Sequence, residues 1–545
     1  MATTKFKFAI NNAEFPFLYS QASRSVVQPG ADIAPRVGAG FTGGASYDFN
    51  VAQLLFCENA LPSGAGLVSV GYRDVGAAVS PAVTVFDQLI VLRDSQERNY
   101  LMSPARGKNY VFDSETATWT SYNSFTWDSA KTLVSRAYVN GRTLVMYERD
   151  RVIEWDSATP KFDTKTLTLP GGYAITDIRG ICGASNYLIA HTSTEILWST
   201  LTDILDFADL DAGAGRQIPI DLKGQITGLL PVSGGFLICT TQNVVAAFFT
   251  GTAATPFSYR EVTGSAGVSS VEQVTFEANQ DRIFAYGTSG IQSLSLQRAE
   301  VLLPKCADFL VGTSYDQWDE ALGVVVEGVA TDALAVKLQL LSHRYLCISY
   351  LKNGNHFQFV LVYDLALQRW GKLRVPHTDI GILPNTAGST FDLTYDELGA
   401  PYDSYNVAYQ DLKTVAGGFL PAKTGFLFLQ ESGFLQSLVT DPTLSSGTGV
   451  ALFGRIQHVR GRTVTFLGAQ FDGLYGTPAP VVQLVGSTPG NGFDRDRVVA
   501  ATLASGTERS LKYVGRQVFE NFDLAISGKF QLSNGVVEIM NHGSR

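Results

Sequence analysis

Residues 133–155 read LVSRAYVNGRTLVMYERDRVIEW, and this stretch decides the fold. Two apolar segments flank the dipeptide Asn140-Gly141, which is a strong signal for a two-residue β-hairpin turn. A third apolar segment, RVIEW, follows after a short charged turn. The stretch therefore predicts an antiparallel sheet made from neighbouring parts of the chain, and a similar turn is predicted near Gly234-Gly235.

The same pattern, a short apolar strand, a tight turn and a second strand, recurs along the chain. Further copies include VTVFDQLIVLRD (83–94), YLIAHTSTEILWS (187–199) and FLICTTQNVVAAFF (236–249). Aligning the first leucine or its equivalent in each copy gives separations of 55, 44, 49, 47, 62 and 81 residues. The middle values match the roughly 40–50 residues of a four-stranded propeller blade. The aligned residues are Leu89, Leu144, Leu188, Leu237, Phe284, Leu346 and Leu427.

We therefore predict an all-β protein that contains a β-propeller of six to eight blades, with seven as the direct count. A pair of β-sandwiches is the alternative, but it would not need so regular a period. Residues 1–80, which Gly and Pro interrupt, are predicted to form an extended arm, and residues 81–440 the propeller, with an insertion at 376–420. Residues 441–545 are predicted to form a β-sandwich-like module that the N-terminal arm shares, so that both ends of the chain build one platform.

Composition points to a protein that associates with others. Charged residues make up 17% of the 545 residues, against roughly 25% in typical soluble domains, which suggests that much of the surface contacts partners. A large all-β monomer is the alternative. The net charge of −9 and the lack of any Lys/Arg run argue against a protein that grips nucleic-acid phosphates. No apolar run approaches the ~18 residues of a membrane span, so no span is predicted.

The sequence shows little sign of catalytic chemistry. GAGFTGG (38–44) formally matches G-x-G-x-x-G, but it lacks the preceding strand and the following helix that dinucleotide binding requires. The six histidines have no mutual metal-ligand spacing, and the five cysteines are dispersed in apolar runs, which predicts buried, reduced thiols. We expect no enzyme activity, no metal and no cofactor. The cysteines are Cys57, Cys182, Cys239, Cys306 and Cys347.

The segment TYDELGAPYDSYNVAYQDL (394–412) is the one candidate site. Tyr395, Tyr402 and Tyr409 stand seven residues apart. Gly399 and Pro401 exclude a continuous helix, because proline in a helix interior costs ~3 kcal/mol. We predict successive short turns between propeller strands, in which each acid caps local amides and each tyrosine packs onto the blade or a partner. An ordinary surface loop is the alternative. The candidate residues are Tyr395, Asp396, Tyr402, Asp403, Tyr409 and Asp411.

Several ordered motifs resemble one protein family. Residues 196–274 contain, in order, W-S, D-F, a Gly-rich I-P segment, K-G-x-I-x-x-L-L-P, N-V-V, P-F-x-Y-R-E and G-x-x-S-x-E-Q-V. VYDLALQRWGKL (362–373) and ENALPSGAGLVSVGYR (58–73) add a strand-turn and an arm motif. Together they resemble the tail nozzle proteins of short-tailed bacteriophages, also called tail tubular protein B. The tyrosine repeat resembles an acidic-aromatic repeat of that family, in which tryptophan often stands where this chain has tyrosine.

The resemblance implies a non-enzymatic structural protein. It implies a β-propeller with a platform built from both termini, six copies of which form a ring beneath the portal and adaptor of the virion tail, after assembly in the host cytoplasm. The ring would form the exit channel for viral DNA, which passes without specific binding, and would carry tail fibres or tailspikes. An acidic lumen suits such a conduit, since like charge repels DNA within a Debye length of ~8–10 Å.

A glycan-binding or glycan-cleaving propeller that acts on bacterial surface polysaccharide is the alternative function. A glycosidase needs only two carboxylates about 5–10 Å apart, and acids are plentiful in the chain. The Ser-x-Asp-x-Gly-x-x-Trp repeat of propeller sialidases is absent from the sequence. A lectin would show similar pockets in successive blades, whereas these hairpins differ in nearly every turn.

Overall fold

A computed structural model gives the fold of the protein. The structure describes residues 3–9, 47–48, 54–63, 66–76, 86–94, 98–105, 108–113, 117–122, 134–252, 255–277, 282–287, 290–303, 336–341, 344–382, 426–440, 447–456, 464–478, 480–487, 497–502, 510–519 and 521–541. These residues form β-strands with two single 3₁₀ turns, at Ile175–Asp177 and Val271–Gln273. The predicted all-β class is confirmed.

Six of the described strands lie within the first 80 residues. They are short, in keeping with the Gly- and Pro-rich composition of this part of the chain. In chain order they are β1 (Thr3–Ala9), β2 (Tyr47–Asp48), β3 (Leu54–Glu58), β4 (Ala60–Ser63), β5 (Gly66–Ser69) and β6 (Gly71–Gly76).

Seven four-stranded antiparallel units follow, and we number them blades one to seven. Blade one is β7 (Ile90–Arg93), β8 (Asn99–Ala105), β9 (Lys108–Asp113) and β10 (Thr118–Ser121); blade two is β11 (Val134–Val139), β12 (Arg142–Tyr147), β13 (Arg151–Asp156) and β14 (Lys161–Lys165). Blade three is β15 (Gly180–Ala184), β16 (Tyr187–His191), β17 (Ile196–Trp198) and β18 (Gly215–Gln217); blade four is β19 (Ile226–Val232), β20 (Gly235–Thr240), β21 (Val244–Phe249) and β22 (Phe257–Glu261). Blade five is β23 (Val274–Glu277), β24 (Arg282–Gly287), β25 (Gly290–Leu294) and β26 (Ala299–Leu303); blade six is β27 (Lys337–Leu341), β28 (Tyr345–Asn353), β29 (His356–Asp364) and β30 (Arg369–His377).

Blade seven joins distant parts of the chain. Its strands β31 (Asp379–Gly381), β32 (Leu427–Leu429) and β33 (Leu435–Val439) are consecutive, but its outermost strand is β6 from the N-terminal region. Strand β6 therefore lies within the range predicted as an arm and completes the propeller ring. The first residues of the predicted 376–420 insertion belong to β30 and β31.

The remaining strands form a second β module. β34 (Gly449–Ile456), β36 (Val481–Ser487), β37 (Arg497–Thr502) and β39 (Asn521–Gly528) make one sheet with β3, in the order β3-β34-β39-β36-β37. β35 (Val464–Tyr475), β38 (Ser510–Phe519) and β40 (Phe530–Asn541) join a larger sheet, in which β40 pairs with β1, β5 and β35. This sheet continues through β5 and β4 into β30 of blade six. Both ends of the chain thus contribute to a module that is continuous with one blade.

The first strand of each blade lies closest to the propeller axis. Side chains on these strands accept backbone N–H groups of the neighbouring blade: Ser135 Oγ from Ile181 (3.0 Å), and Thr275 Oγ1 from Leu340 (3.0 Å). Between blades seven and one, Asp379 Oδ2 accepts from the Leu89 amide at 2.6 Å. These bonds satisfy amides at the inner edges that have no strand partner of their own.

The apolar core is divided into clusters between neighbouring blades. Ile181 and Leu188 of blade three pack with Leu144 and Met146 of blade two, and the same pattern repeats between blades four and five. The alternation of apolar residues along each strand places one face against each neighbour, as the period of two requires. Both predicted turns are present: Asn140 and Gly141 have φ of 50° and 80° between β11 and β12, and Gly234 has φ of 80° directly before β20.

Candidate functional site

The predicted tyrosine repeat lies outside the described residues. This holds for Tyr395, Asp396, Tyr402, Asp403, Tyr409 and Asp411, and also for the glycine motif at 38–44. The segment that carries the repeat leaves blade seven after Ile382 and returns at Phe426, directly before β32. The repeat is therefore inserted between the first and second strands of blade seven, while its conformation stays a prediction.

A charged network crosses one end of the propeller axis, where the inner strands begin. Lys337 Nζ of blade six lies 2.9 Å from Asp379 Oδ1 of blade seven and 3.6 Å from Glu272 Oε1, which precedes β23 of blade five. Gln88, directly before β7 of blade one, donates from Nε2 to Glu272 Oε1 at 3.1 Å, and Gln339 donates to Asp379. The network thus joins blades five, six, seven and one.

The electrostatics of this network favour its charged form. Burial alone would neutralise the Lys337 ammonium, but the carboxylates of Asp379 and Glu272 outweigh it and raise the pKa of Lys337. In return, Lys337 lowers the pKa of Glu272, against the effect of burial. Lys337 and Glu272 therefore remain charged at neutral pH, and the network fastens four blades at the axis.

Blades one and two contribute cationic and aromatic side chains to the axis. Along β11 the residues alternate, with Arg136 and Tyr138 exposed and Ala137 and Val139 buried. Although solvent reaches Arg136, the strands that surround it partly desolvate its guanidinium and lower its pKa, an effect that the Asp379 charge only partly offsets. The Arg93 guanidinium lies 5.3 Å from the centroid of the Tyr138 ring, within cation–π range. The axis is thus lined by both signs of charge.

The longest motif segment, 196–274, has a structural explanation in blade four. Lys223 Nζ lies 2.8 Å from both carboxylate oxygens of Glu261, and Asn243 Nδ2 donates to Glu261 Oε1 at 3.2 Å. The Glu261 amide in turn donates to Asp221 Oδ2 at 3.0 Å. The K-G, N-V-V and R-E motifs therefore supply the groups that tie the outer strand of blade four to the loop before it.

The arm motif and the R-W-G-K strand meet at one junction. Lys372 of β30 is buried, its Nζ lies 3.8 Å from Glu58 Oε2, and it also lies 4.4 Å from the Phe359 ring centroid. Arg374 Nη1 lies 3.7 Å from the other oxygen of Glu58. A Cβ on Gly371 would lie 2.6 Å from the Ala60 carbonyl oxygen, so only glycine lets β4 approach β30 this closely.

Four cysteines and two histidines of the described residues are buried. Cys57, Cys182, Cys239 and Cys347 are free and buried, which confirms the prediction for these four, while Cys306 lies outside the described residues. Burial raises the pKa of the Cys57 and Cys239 thiols to about 12, which leaves them un-ionised and poorly nucleophilic. His191 and His377 are also buried, and burial lowers the pKa of each to about 4.

Within the described ranges, no group of three or more His, Cys, Asp or Glu side chains is arranged to hold a metal ion. No helix in that part of the chain is long and apolar enough to cross a membrane. The axial network and the arm junction were not predicted from the sequence. Their members come from blades or arms far apart in the chain, and the only sequence signal was an acid, amide or lysine at the start of successive inner strands.

The described residues form a β-propeller of seven four-stranded blades with an attached β module. No family model and no curated protein matches the chain. Similar solved structures include YCF48 bound to D1 peptide, at 11% identity and a TM-score of 0.36, over 71% of this chain and 99% of that chain. The WD40 domain of Neurospora crassa Pan2 has 9% identity and a TM-score of 0.36, over 68% and 95% of the two chains. These likenesses concern the fold alone.

Proposed function

We propose that this chain is a structural subunit of a short bacteriophage tail, a nozzle protein. About six copies form a ring below the portal and adaptor, the ring encloses the channel for DNA ejection, and its outside carries tail fibres or tailspikes. The proposal rests on the ordered motifs that resemble this family. It includes no catalytic activity and no specific binding of DNA.

The observation that carries the proposal is the β module built from both ends of the chain. β1 pairs with β40 over its whole length, from Thr3↔Met540 to Ala9↔Asn534, and β5 links β40 to β4. The pairing of Ala60 with Lys372 then connects this module to blade six. The nozzle family is implied to use such a platform to stack against the adaptor, whereas a propeller that binds or cleaves glycan alone has no need of one.

The axial network bears on where DNA would pass. Gln88 of blade one reaches Glu272 of blade five, and Lys337 bridges Glu272 to Asp379. Because these contacts cross the end of the propeller axis, the axis of one subunit is a poor route for a duplex. In our proposal the channel lies between copies, and the propellers form its wall.

Assembly with the adaptor tests the proposal. The purified chain is mixed with the portal–adaptor complex of the same phage and examined by sedimentation and negative-stain electron microscopy, with the adaptor of an unrelated phage as the control. We expect a faster-sedimenting complex that shows a ring of about six subunits on the matched adaptor only. Unchanged sedimentation at every salt concentration would contradict the proposal.

A second assay addresses the glycan alternative. The chain is incubated with capsular and cell-wall polysaccharide of the host bacterium, and reducing ends are measured over time against a buffer control. The proposed structural role predicts no release of reducing ends. Release that depends on the chain would instead favour a glycan-cleaving propeller.

A further inference from the structure

Arg136 and Tyr138 are exposed side by side at the seam between blades one and two. They stand two residues apart on β11, so both side chains lie on the same side of the strand, with Cα atoms about 7 Å apart. Ala137 and Val139, on the other side, are buried in the cluster between blades two and three. Val134, two residues before Arg136, packs in the cluster between blades one and two. Arg136 and Tyr138 therefore face blade one, at the inner edge of the ring.

Blade one adds Arg93, the last residue of β7, to the same seam. The Arg93 guanidinium carbon lies 5.3 Å from the centroid of the Tyr138 ring. The Arg93 amide donates to Thr143 Oγ1 at 2.9 Å, and Thr143 pairs with Tyr138 across the first hairpin of blade two. This bond holds the end of β7 level with Tyr138. Two guanidinium groups and one phenol ring thus lie along one seam, and we call Arg93, Arg136 and Tyr138 the axial basic patch.

The axial network closes the ring on one side of this patch. Gln88 and Glu272 belong to blades one and five, on opposite sides of the seven-bladed ring, and Gln88 Nε2 donates to Glu272 Oε1 at 3.1 Å. Both residues stand just before an inner strand, whereas Arg93 and Tyr138 stand at or next to the end of one. The patch therefore lies beyond the network along the axis, and a ligand reaches it from the end where the inner strands finish.

Arg136 has no counter-ion within ion-pair distance among the described residues, and no hydrogen bond of theirs includes its guanidinium. Desolvation lowers the pKa of Arg136 more than the Asp379 charge raises it. Asp379 is itself bound by Lys337 Nζ at 2.9 Å and by the Leu89 amide at 2.6 Å. A partly desolvated guanidinium without a close anion is stabilised when an oxyanion binds to it, because charge-assisted hydrogen bonds then replace the lost hydration.

The balance of charge at the axis also favours an anion. The charged groups of the network and the patch comprise three cations and two carboxylates, so one formal positive charge is in excess. A ligand with one or two negative charges is therefore attracted to the patch, and the network does not repel it. The cations are Lys337, Arg136 and Arg93, and the carboxylates are Asp379 and Glu272.

We propose that the axial basic patch binds a phosphate group, whose oxygens pair with the Arg136 guanidinium. A guanidinium offers two parallel N–H donors that match two phosphate oxygens. The Tyr138 ring is 48% exposed and supplies a flat surface beside this position, on which a nucleobase can stack. Free phosphate and a nucleoside monophosphate share this chemistry, and the stacking surface favours the nucleotide. The inference goes beyond the proposed function, since it concerns the axis of a single copy and needs no ring.

Isothermal titration calorimetry of the purified chain tests the site. Inorganic phosphate, deoxyadenosine monophosphate and acetate are titrated separately at low ionic strength. We expect both phosphate ligands to bind with a Kd below about 1 mM, and acetate at least about tenfold more weakly. Arg136→Gln should weaken both phosphate ligands at least about tenfold, and Arg136→Lys should restore only part of that loss. Tyr138→Ala should weaken the nucleotide more than free phosphate, whereas equal wild-type affinities would identify free phosphate as the ligand.

Arg216→Gln is the matched control. The Arg216 guanidinium also lies over a tyrosine ring, 5.2 Å from the centroid of Tyr173, but on blade three, where Tyr173 donates a hydrogen bond to Glu195. This variant should bind phosphate as the wild type does. Because Arg136, Tyr138 and Arg216 are exposed, all variants should melt near the wild-type temperature, and Arg136→Lys carries the comparison if Arg136→Gln melts earlier.

Several results would overturn the inference. They are the absence of phosphate and nucleotide binding by the folded wild-type chain, unchanged affinities in the Arg136 variants, an equal loss in Arg216→Gln, and acetate binding as tight as that of phosphate. None of these results bears on ring formation with the adaptor, so the proposed function stands or fails separately.

Discussion

At the residue scale, one glycine sets how closely the arm approaches the propeller. Gly371 lies beneath β4, and a methyl group there would meet the Ala60 carbonyl oxygen at 2.6 Å and Leu61 Cδ2 at 2.7 Å. Because the backbone oxygen cannot move away without breaking the pairing of β4 with β30, the strain has to be taken up by the junction. Gly171 is a matched position, since nothing lies within 4 Å of a Cβ there.

Gly371→Ala is therefore expected to destabilise the protein by about 1–3 kcal/mol, and Gly171→Ala to change its stability little. Urea denaturation followed by tryptophan fluorescence measures both midpoints. Equal midpoints for the two variants would show that the junction relaxes without cost.

The two buried histidines predict how stability depends on pH. Burial lowers the pKa of His191 and His377 to about 4, below the ordinary value of 6.5. His377 Nδ1 donates to the Val375 carbonyl oxygen at 2.7 Å, so its neutral ring accepts the Ser349 hydroxyl through Nε2 at 2.8 Å. Below pH 6.5 the unfolded chain binds protons that the folded chain refuses, so the folded state loses stability as pH falls towards 4.

We expect the urea concentration at the denaturation midpoint, measured between pH 7.5 and pH 4.5, to decrease as the pH drops below 6.5. Each histidine contributes a slope of up to about 1.4 kcal/mol per pH unit. His377→Gln should remove about half of the histidine-dependent slope, whatever its effect on stability at pH 7.5. A slope that the substitution leaves unchanged would assign the acid sensitivity to other groups.

At the element scale, the arm and blade six are joined by charge as well as by strand pairing. Lys372 is buried against Glu58 and Phe359, and Glu58 Oε2 is buried without a hydrogen bond. Removing Lys372 leaves the Glu58 carboxylate with only Arg374 among the described cations, whose Nη1 lies 3.7 Å away, and breaking one side of a buried ion pair costs more than replacing both partners.

Lys372→Met alone is therefore expected to destabilise the protein by about 1–3 kcal/mol, since Arg374 still faces Glu58, and the double variant Glu58→Gln/Lys372→Met to recover part of that loss. Urea denaturation of the wild type, both single variants and the double variant completes the cycle. Additive effects in this cycle would mean that Glu58 and Lys372 do not interact energetically.

The spacing of the hairpins along the sequence predicted the blades, but the alignment was wrong at blade one. Six of the aligned residues, Leu144 among them, lie in the second strand of their blades, but Leu89 lies just before the first strand of blade one. The equivalent second-strand residue is Leu101, so the first gap of 55 residues was too long by one strand. Local turn signals such as Asn140-Gly141 were reliable because they act between neighbours. The axial network was not predictable, since its members meet only when the ring closes.

At the scale of the whole molecule, the role of the tyrosine repeat as a packing or docking segment stays a prediction. It enters from blade seven, the blade that also holds β6 from the N-terminal region. The prediction of compact turns rests on Gly399, Pro401 and the even spacing of Tyr395, Tyr402 and Tyr409.

Replacing Tyr395, Tyr402 and Tyr409 together by serine is expected to weaken tail assembly or infectivity while the propeller stays folded, because each ring supplies apolar area with a polar tip. Phage yield and the melting temperature of the purified chain are the measurements, and Tyr→Phe at the same positions is the matched control. Normal assembly and infection by the serine variant would reduce the segment to an ordinary surface loop.

The way blade seven is completed has a consequence for synthesis. β6 pairs with β33, from Gly71↔Val439 to Gly76↔Leu435, so its partner is made about 360 residues later. At ~5–20 residues per second, the ribosome leaves β6 without this partner for roughly 20–70 seconds. During that interval its edge is open to strands of other nascent chains on the same messenger. Dense loading of ribosomes on one message would therefore favour exchange of β6 between copies. The yield of correctly closed subunits should accordingly depend on the rate at which ribosomes load onto the message.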